Sequence, residues 1–243
     1  MVDPPRPRRM SPGPFRAVVT DVDGTLTNRD RRLDLRAVQN VRALEAAGVP
    51  VVLSTGNVLP ISLALWRSLG LSGPIVAENG GLLYRRSAQG ADEVERLADV
   101  EVARAAYRRL VRSGLPVRRL FTDRWRESEV ALEPTVSVAR IRAALGPRSP
   151  VTAESTGYAI HLMQRGAGKL PALRRALAPL GLTPSDCVVL GDGDNDVGML
   201  RAAGFGVSFR SGSLRARRAA AYVARASYAN GFDEGLKASG LLA

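Results

Sequence analysis

Carboxylates gather in two short segments of this chain, each directly after an apolar run. The first is Asp21-Val-Asp23-Gly24-Thr25-Leu26, which follows the β-branched stretch ending at Thr20. Two acids two residues apart, with no base in the segment to neutralise them, are costly unless the site needs negative charge. Gly24 permits a sharp turn there, and Thr25 adds a hydroxyl. The second segment is Gly191-Asp192-Gly193-Asp194-Asn195-Asp196, directly after Cys187–Leu190. Several acids so close together suit Mg²⁺ or Ca²⁺, which prefer oxygen ligands. The spacing does not fit an EF-hand loop. Asp194 or Asp196 has a second reading, as the cap of the helix that follows.

Two further features accompany the acids. Of the 35 basic residues only Lys169 and Lys237 are lysines, and Lys169 opens the predicted helix before the second acidic segment. A compact ammonium can neutralise a carboxylate and a phosphate oxygen together where a planar guanidinium does not fit. Thr55, in Leu53-Ser-Thr-Gly-Asn57, places a hydroxyl and a glycine after another apolar run, a common way to meet phosphate oxygens and equally common in ordinary loops.

The elements that must position these residues read as alternating strands and helices. Strands are predicted at Arg16–Thr20, Val49–Leu53 and Pro74–Ala77, with helices over Asp34–Gly48 and about Leu59–Gly70 between them. After an interruption come a helix over Lys169–Leu180, a strand at Cys187–Leu190, a helix over Val197–Ala203 and a short strand at Gly206–Phe209. This order predicts an α/β fold, a doubly wound parallel, Rossmann-like sheet, whose strands deliver their polar loops at the C-terminal edge where ligands bind. The interrupting stretch mixes a hairpin-like pair, helices near 102–110 and 136–145, and strands near 117–122 and 159–163. It reads as an inserted α+β cap domain. The expected division is a disordered tail over residues 1–14, a core of 15–82 plus 160–243, and a cap of 83–159.

Composition narrows the class. Hydrophobic residues make up 45% and charged residues 24% of the 243, as in ordinary globular proteins. No run approaches the length of a membrane span, and the proline- and arginine-rich first residues lack the apolar core of a signal peptide. The lone Cys187 offers no intrachain disulfide, so a cytoplasmic location is the simplest expectation. The formal net charge of +12 is spread along the chain as short arginine pairs, and aromatics are only 5%. That pattern steers small anions rather than marking a specific nucleic-acid surface.

Taken in order, Asp21-x-Asp23-Gly-Thr, Ser54-Thr55, Lys169 and Gly191-Asp192…Asn195-Asp196 resemble the haloacid dehalogenase superfamily of phosphohydrolases. In more detail, Leu53–Val58, Glu78-Asn-Gly-Gly81, Asp123-Arg-Trp-Arg-Glu127, Gly157-Tyr158, His161-Leu-Met163 and Arg165-Gly166 are similar to the archaeal phosphoglycolate phosphatases. The resemblance implies a Mg²⁺-dependent phosphatase for a small anionic phosphate monoester. It implies Asp21 as nucleophile and Asp23 as general acid and base. Mg²⁺ would be held by Asp21, the carbonyl of Asp23 and Asp192, with Asp196 nearby. Lys169 and Thr55 would steady the transferring phosphoryl oxygens. Arg124 and Arg126 are then candidates to meet a substrate carboxylate, or else part of a solvated turn. His161 reads as a packing or hinge residue. A sugar-phosphate phosphatase or phosphomutase on the same core, and a non-catalytic phosphate- or nucleic-acid-binding protein, are the competing expectations.

Overall fold

The computed structural model describes residues 15–87, 89–156 and 158–242. The tail expected over residues 1–14 lies outside them. Strands run as β1 (Ala17–Thr20), β2 (Val51–Ser54), β3 (Ile75–Ala77), β4 (Leu82–Arg86), β5 (Asp92–Arg96), β6 (Glu129–Leu132), β7 (Val151–Ser155), β8 (Ile160–Gln164), β9 (Cys187–Leu190), β10 (Phe205–Phe209) and β11 (Tyr222–Ala224). Helices are α1 (Leu35–Ala46), α2 (Leu59–Leu69), α3 (Val100–Arg112), α4 (Val138–Leu145), α5 (Lys169–Leu177), α6 (Val197–Ala202), α7 (Leu214–Ala219) and α8 (Ala229–Ala238).

The larger sheet has the order β11-β10-β9-β1-β2-β3-β4-β5. Strands β11 through β3 are mutually parallel, and β4 and β5 add an antiparallel edge. Successive residues of β1 face opposite sides, as a strand requires. Val18 packs with Val41 and Leu44 of α1, Trp66 of α2 and Phe232 of α8. Ala17 and Val19 pack with Leu173 and Leu177 of α5, Met199 and Leu200 of α6, and Ala216 of α7. Both faces are thus covered, which is why the parallel strands are uninterrupted apolar runs. Chain order proceeds outward from β1 to β3 on one side and from β9 to β11 on the other. The reversal falls between β1 and β9, where a crevice opens at the strand C-termini. Thr20 stands opposite both Leu53 and Leu190, so the residues following β1, β2 and β9 emerge side by side.

A second, antiparallel sheet of order β6-β8-β7 carries α3 and α4 on one face, around Leu110, Leu132, Ile141 and Leu162. Sheet membership departs from the expected edges of the insert at 83 and 159. The hairpin β4–β5 belongs to the large sheet, because the chain leaves β3 through a tight turn and returns antiparallel beside it. Strand β8 belongs to the small sheet. The strand expected near 117–122 is instead an isolated bridge, Arg119 with Leu132, followed by a 3₁₀ turn over Phe121–Trp125. Strands β6 and β7 were not anticipated. Among the described residues no helix is long and apolar enough to cross a membrane.

The turn after β3 is the tightest join between these parts. Gly80 has φ of 95°, and a Cβ there would lie 2.2 Å from the carbonyl oxygen of Gly168, just before α5. At Gly81 a Cβ would meet the Ser128 hydroxyl at 2.0 Å. The Gly80-Gly81 pair therefore lets one loop wedge between the start of α5 and the insert. Gly48 shares the left-handed conformation, at φ 77°, but has nothing within 4 Å of its would-be Cβ. Gly80→Ala should thus cost more stability than Gly48→Ala, whose penalty is only the backbone strain of about 1–2 kcal/mol. Urea unfolding of both variants checks this; equal losses would remove the steric constraint at Gly80.

Candidate active site

Lys169 is the centre of a buried acidic cluster at the strand C-termini. Its side chain is fully buried, and its Nζ lies 2.7 Å from Asp21 Oδ1 and 2.7 Å from Asp196 Oδ1. Burial opposes the lysine's charge, but Asp196 and Asp21 outweigh it and hold the ammonium above its usual range. Asp21 begins the loop after β1, Asp196 ends the 3₁₀ turn after β9, and Lys169 is the first residue of α5. Asp196 also accepts from the backbone N–H of Gly193 at 2.9 Å, which closes the acidic loop on itself.

Asp192 completes the cluster. One carboxylate oxygen from each of Asp21, Asp192 and Asp196 falls within 4.8 Å of the others. A Cβ on Gly24 would lie 2.3 Å from Asp192 Oδ2, so glycine is what allows the two acidic loops to close on each other. Burial, then repulsion from Asp196, pushes Asp192 up to about 7. Burial likewise raises Asp21 well above the carboxylate range despite Lys169. Three carboxylates facing one ammonium carry excess negative charge in a buried place. This donor set, all oxygen and short of positive charge, fits a hard divalent cation.

The Asp23 carboxylate is held by groups outside this cluster. Asn57 Nδ2 donates to its Oδ2 at 2.8 Å, and Arg31 Nη2 lies 3.2 Å from its Oδ1. Thr55 is fully buried, and its hydroxyl oxygen accepts from the backbone N–H and the side-chain amide of Asn57, both at 3.1 Å. Asp21, Asp23 and Asp192 line a cavity of about 430 Å³ together with Gly56, Asn195, Ser213 and, from the insert, Ser155, Thr156 and Tyr158. Its size suits a small ligand.

Neither arginine expected to meet a substrate carboxylate lines this cavity. Arg126 is buried in an ion pair with Glu129 and donates from Nη1 to the carbonyl of Gly56 at 3.0 Å. Arg124 turns outward, with its guanidinium 4.1 Å from the Phe121 ring centroid. The buried acid three residues on recruits Arg126, and an exposed ring recruits Arg124. His161 sits between Glu129 (2.8 Å) and Thr156 (3.1 Å) as a fully buried link.

A buried polar network, unforeseen in the sequence, thus joins the two sheets. Glu129 on β6 takes Arg126, His161 and Asn79, and Asn79 Oδ1 accepts from Asn195 at 2.9 Å. Burial alone would raise Glu129, but His161 and Arg126 overcome it and bring its pKa down to about 2. Glu78 and Asn79 both adopt positive φ, 49° and 53°. Their N–H groups donate to the carbonyls of Asn57 and Thr55, each at 3.0 Å, which ties this strained turn to the loop after β2. The Glu78 carboxylate accepts from the Ser128 hydroxyl at 2.6 Å and from the N–H groups of Glu127 and Ser128.

A family model for haloacid dehalogenase-like hydrolases matches residues 18–118 and 134–236. The chain belongs to the haloacid dehalogenase-like hydrolases. It is 37% identical over 228 residues to the phosphoglycolate phosphatase of Methanoculleus marisnigri, covering 92% of this chain and 96% of that protein. It is 38% identical over 223 residues to the phosphoglycolate phosphatase of Methanothermobacter thermautotrophicus, covering 92% and 98%. A solved structure from Thermoplasma acidophilum superposes with a TM-score of 0.82 at 27% identity, covering 94% of this chain and 99% of that one.

Burial pushes Glu78 up to about 7 from an ordinary 4.5, even though Ser128 and Glu127 donate to it. A folded-state pKa above the unfolded one favours folding at low pH. That contribution is complete below about 4.5 and is lost as pH rises through about 7. Glu78→Gln should therefore gain on the wild type in thermal midpoint between pH 4.5 and pH 8. A constant difference across that range would show that Glu78 does not titrate this way.

Proposed function

We propose that this chain is a Mg²⁺-dependent phosphatase that hydrolyses 2-phosphoglycolate to glycolate and phosphate through an aspartyl-phosphate on Asp21. The observation that carries this reading is the buried contact of Lys169 with both Asp21 and Asp196, beside Asp192, at the sheet's switch point. Full-length similarity to phosphoglycolate phosphatases supports the substrate.

Asp21, Asp192 and Asp196, with the backbone carbonyl of Asp23, would hold the cation. When bound, Mg²⁺ supplies the positive charge that lets an anionic carboxylate approach an anionic phosphate. In the first step an oxygen of Asp21 attacks phosphorus, and the bond from phosphorus to the alcohol oxygen breaks. Asp23, oriented by Asn57, gives its proton to the departing alkoxide. In the second step Asp23 takes a proton from water as that water attacks the same phosphorus. The Asp21–phosphorus bond then breaks, and the carboxylate is restored. Lys169 holds Asp21 in place and, with Thr55, meets the charge on the transferring oxygens, since phosphoryl transfer rests chiefly on positioning and charge. The insert supplies Ser155, Thr156 and Tyr158 to the cavity wall.

Phosphate release from a panel of monoesters tests this reading. Turnover should require Mg²⁺, stop with chelator, and favour phosphoglycolate over sugar phosphates and an aryl phosphate. Asp21→Asn should lower kcat by about 10⁴-fold or more with the fold intact by circular dichroism. A preference for sugar phosphates would overturn the substrate, and turnover by Asp21→Asn after excluding deamidation would overturn the nucleophile.

A further inference from the structure

Asp23 must stand beside the ester oxygen to protonate the leaving alcohol, so the groups flanking Asp23 meet whatever that alcohol carries. In phosphoglycolate the adjacent carbon carries a carboxylate. Such a carboxylate would face Asp21, Asp23 and Asp192 across the cavity, and needs a cation close to Asp23. Lys169 is committed to Asp21 and Asp196, and Arg126 to Glu129. Arg215 serves Asp194, at 3.1 Å. Arg31 is the cation in contact with Asp23 itself.

Arg31 is held at that position from both sides. Its backbone has φ of 62°, a left-handed conformation that is strained for a non-glycine residue and so needs support. Asn28 provides it. The Asn28 side-chain oxygen accepts from the N–H groups of Asp30 (2.9 Å) and Arg32 (3.0 Å), and its carbonyl accepts from Arg31 N–H (3.0 Å). Thr27 and Leu33 pair across the base of the turn. At the far end, the guanidinium lies 4.1 Å from the centroid of the Tyr158 ring, which belongs to the insert and lines the cavity. Stacking on a ring fixes the plane of a guanidinium and suits it to two-point recognition of a carboxylate. Arg31 does not itself line the cavity, but Asp23 and Tyr158 do: its Nε and Nη2 face Asp23 Oδ1, its guanidinium lies over Tyr158, and its side chain is half exposed.

We propose that Arg31, backed by Tyr158, is the specificity-determining residue that receives the carboxylate of the leaving group. This rests on the phosphoglycolate reading above. Arg31 stands in the loop after β1 and Tyr158 in the insert, so recognition of the substrate's acid end joins the two parts of the molecule at Asp23. The same contact discriminates against neutral alcohols, which leave Arg31 paired with Asp23 alone.

The test compares kcat and KM for phosphoglycolate and for ethyl phosphate, which has the same chain length and no carboxylate. Wild type, Arg31→Gln, Arg31→Lys and Arg215→Gln are assayed in Mg²⁺. Wild type should prefer phosphoglycolate. Arg31→Gln should reduce that preference by about tenfold or more, chiefly through KM for phosphoglycolate, as expected for loss of a hydrogen bond to a charged group. Arg31→Lys should recover part of it, and Arg215→Gln should leave it within about twofold. If Arg31→Gln lowers both substrates by the same factor, Arg31 only braces Asp23 and the proposal fails while the phosphatase reading stands. If Arg215→Gln abolishes the preference instead, the carboxylate lies elsewhere. If wild type itself shows no preference, the phosphoglycolate reading fails and Arg31's role falls with it.

Discussion

Three carboxylates within 4.8 Å of one another repel, and the C-terminal edge of the large sheet is organised around containing that repulsion. Lys169 is the protein's own answer, shared between Asp21 and Asp196 and fully buried between them. Burial, and then the repulsion that one ammonium leaves among three acids, makes Asp21 and Asp192 hold protons more tightly than free carboxylates do. The same imbalance fits the place to a divalent cation. The backbone follows from this requirement. β1 and β9 end side by side, Gly24 yields to Asp192, and the first turn of α5 is pressed against Gly80 so that Lys169 reaches both acids.

The smaller sheet depends on a second buried charge. Glu129 is satisfied by Arg126, His161 and Asn79, and through Asn79 and Gly56 the network touches the loops after β3, β2 and β9. Breaking a buried pair leaves an unpaired charge and is strongly destabilising, so this network fixes how the insert meets the core. The cavity wall formed by Ser155, Thr156 and Tyr158 takes its position from that join. Thr156 is tied into it directly through His161.

Much of this was legible in the sequence, for identifiable reasons. Parallel strands buried on both faces must be continuous apolar runs, so β1, β2, β3 and β9 stood out, and the acids behind them were conspicuous because carboxylates are expensive there. Lys169 was visible because arginine fills nearly every other basic position. The hairpin β4–β5 was readable as a hairpin but not as part of the large sheet, since alternation says nothing about which strand is the neighbour. β6 was hidden because its first residue is Glu129, whose burial makes sense only once Arg126, His161 and Asn79 are in place. Arg126 reads in the sequence as a candidate for a substrate carboxylate or as part of a solvated turn, because spacing does not reveal its partner Glu129. Arg31 was one arginine among many, and only its place on Asp23 and Tyr158 sets it apart.

Transfer of the phosphoryl group through Asp21, in two half-reactions, is the proposal on which the mechanism turns. The most direct measurement is acid quenching within a single turnover in Mg²⁺, followed by digestion and mass spectrometry. The expected result is phosphate attached to the peptide containing Asp21, removable by hydroxylamine and most abundant in Asp23→Asn given an aryl phosphate, whose leaving group needs no proton while the attacking water still lacks its base. Full release of phosphate in the same interval, with no modified Asp21 in either protein, would mean that water attacks the substrate directly and would contradict it.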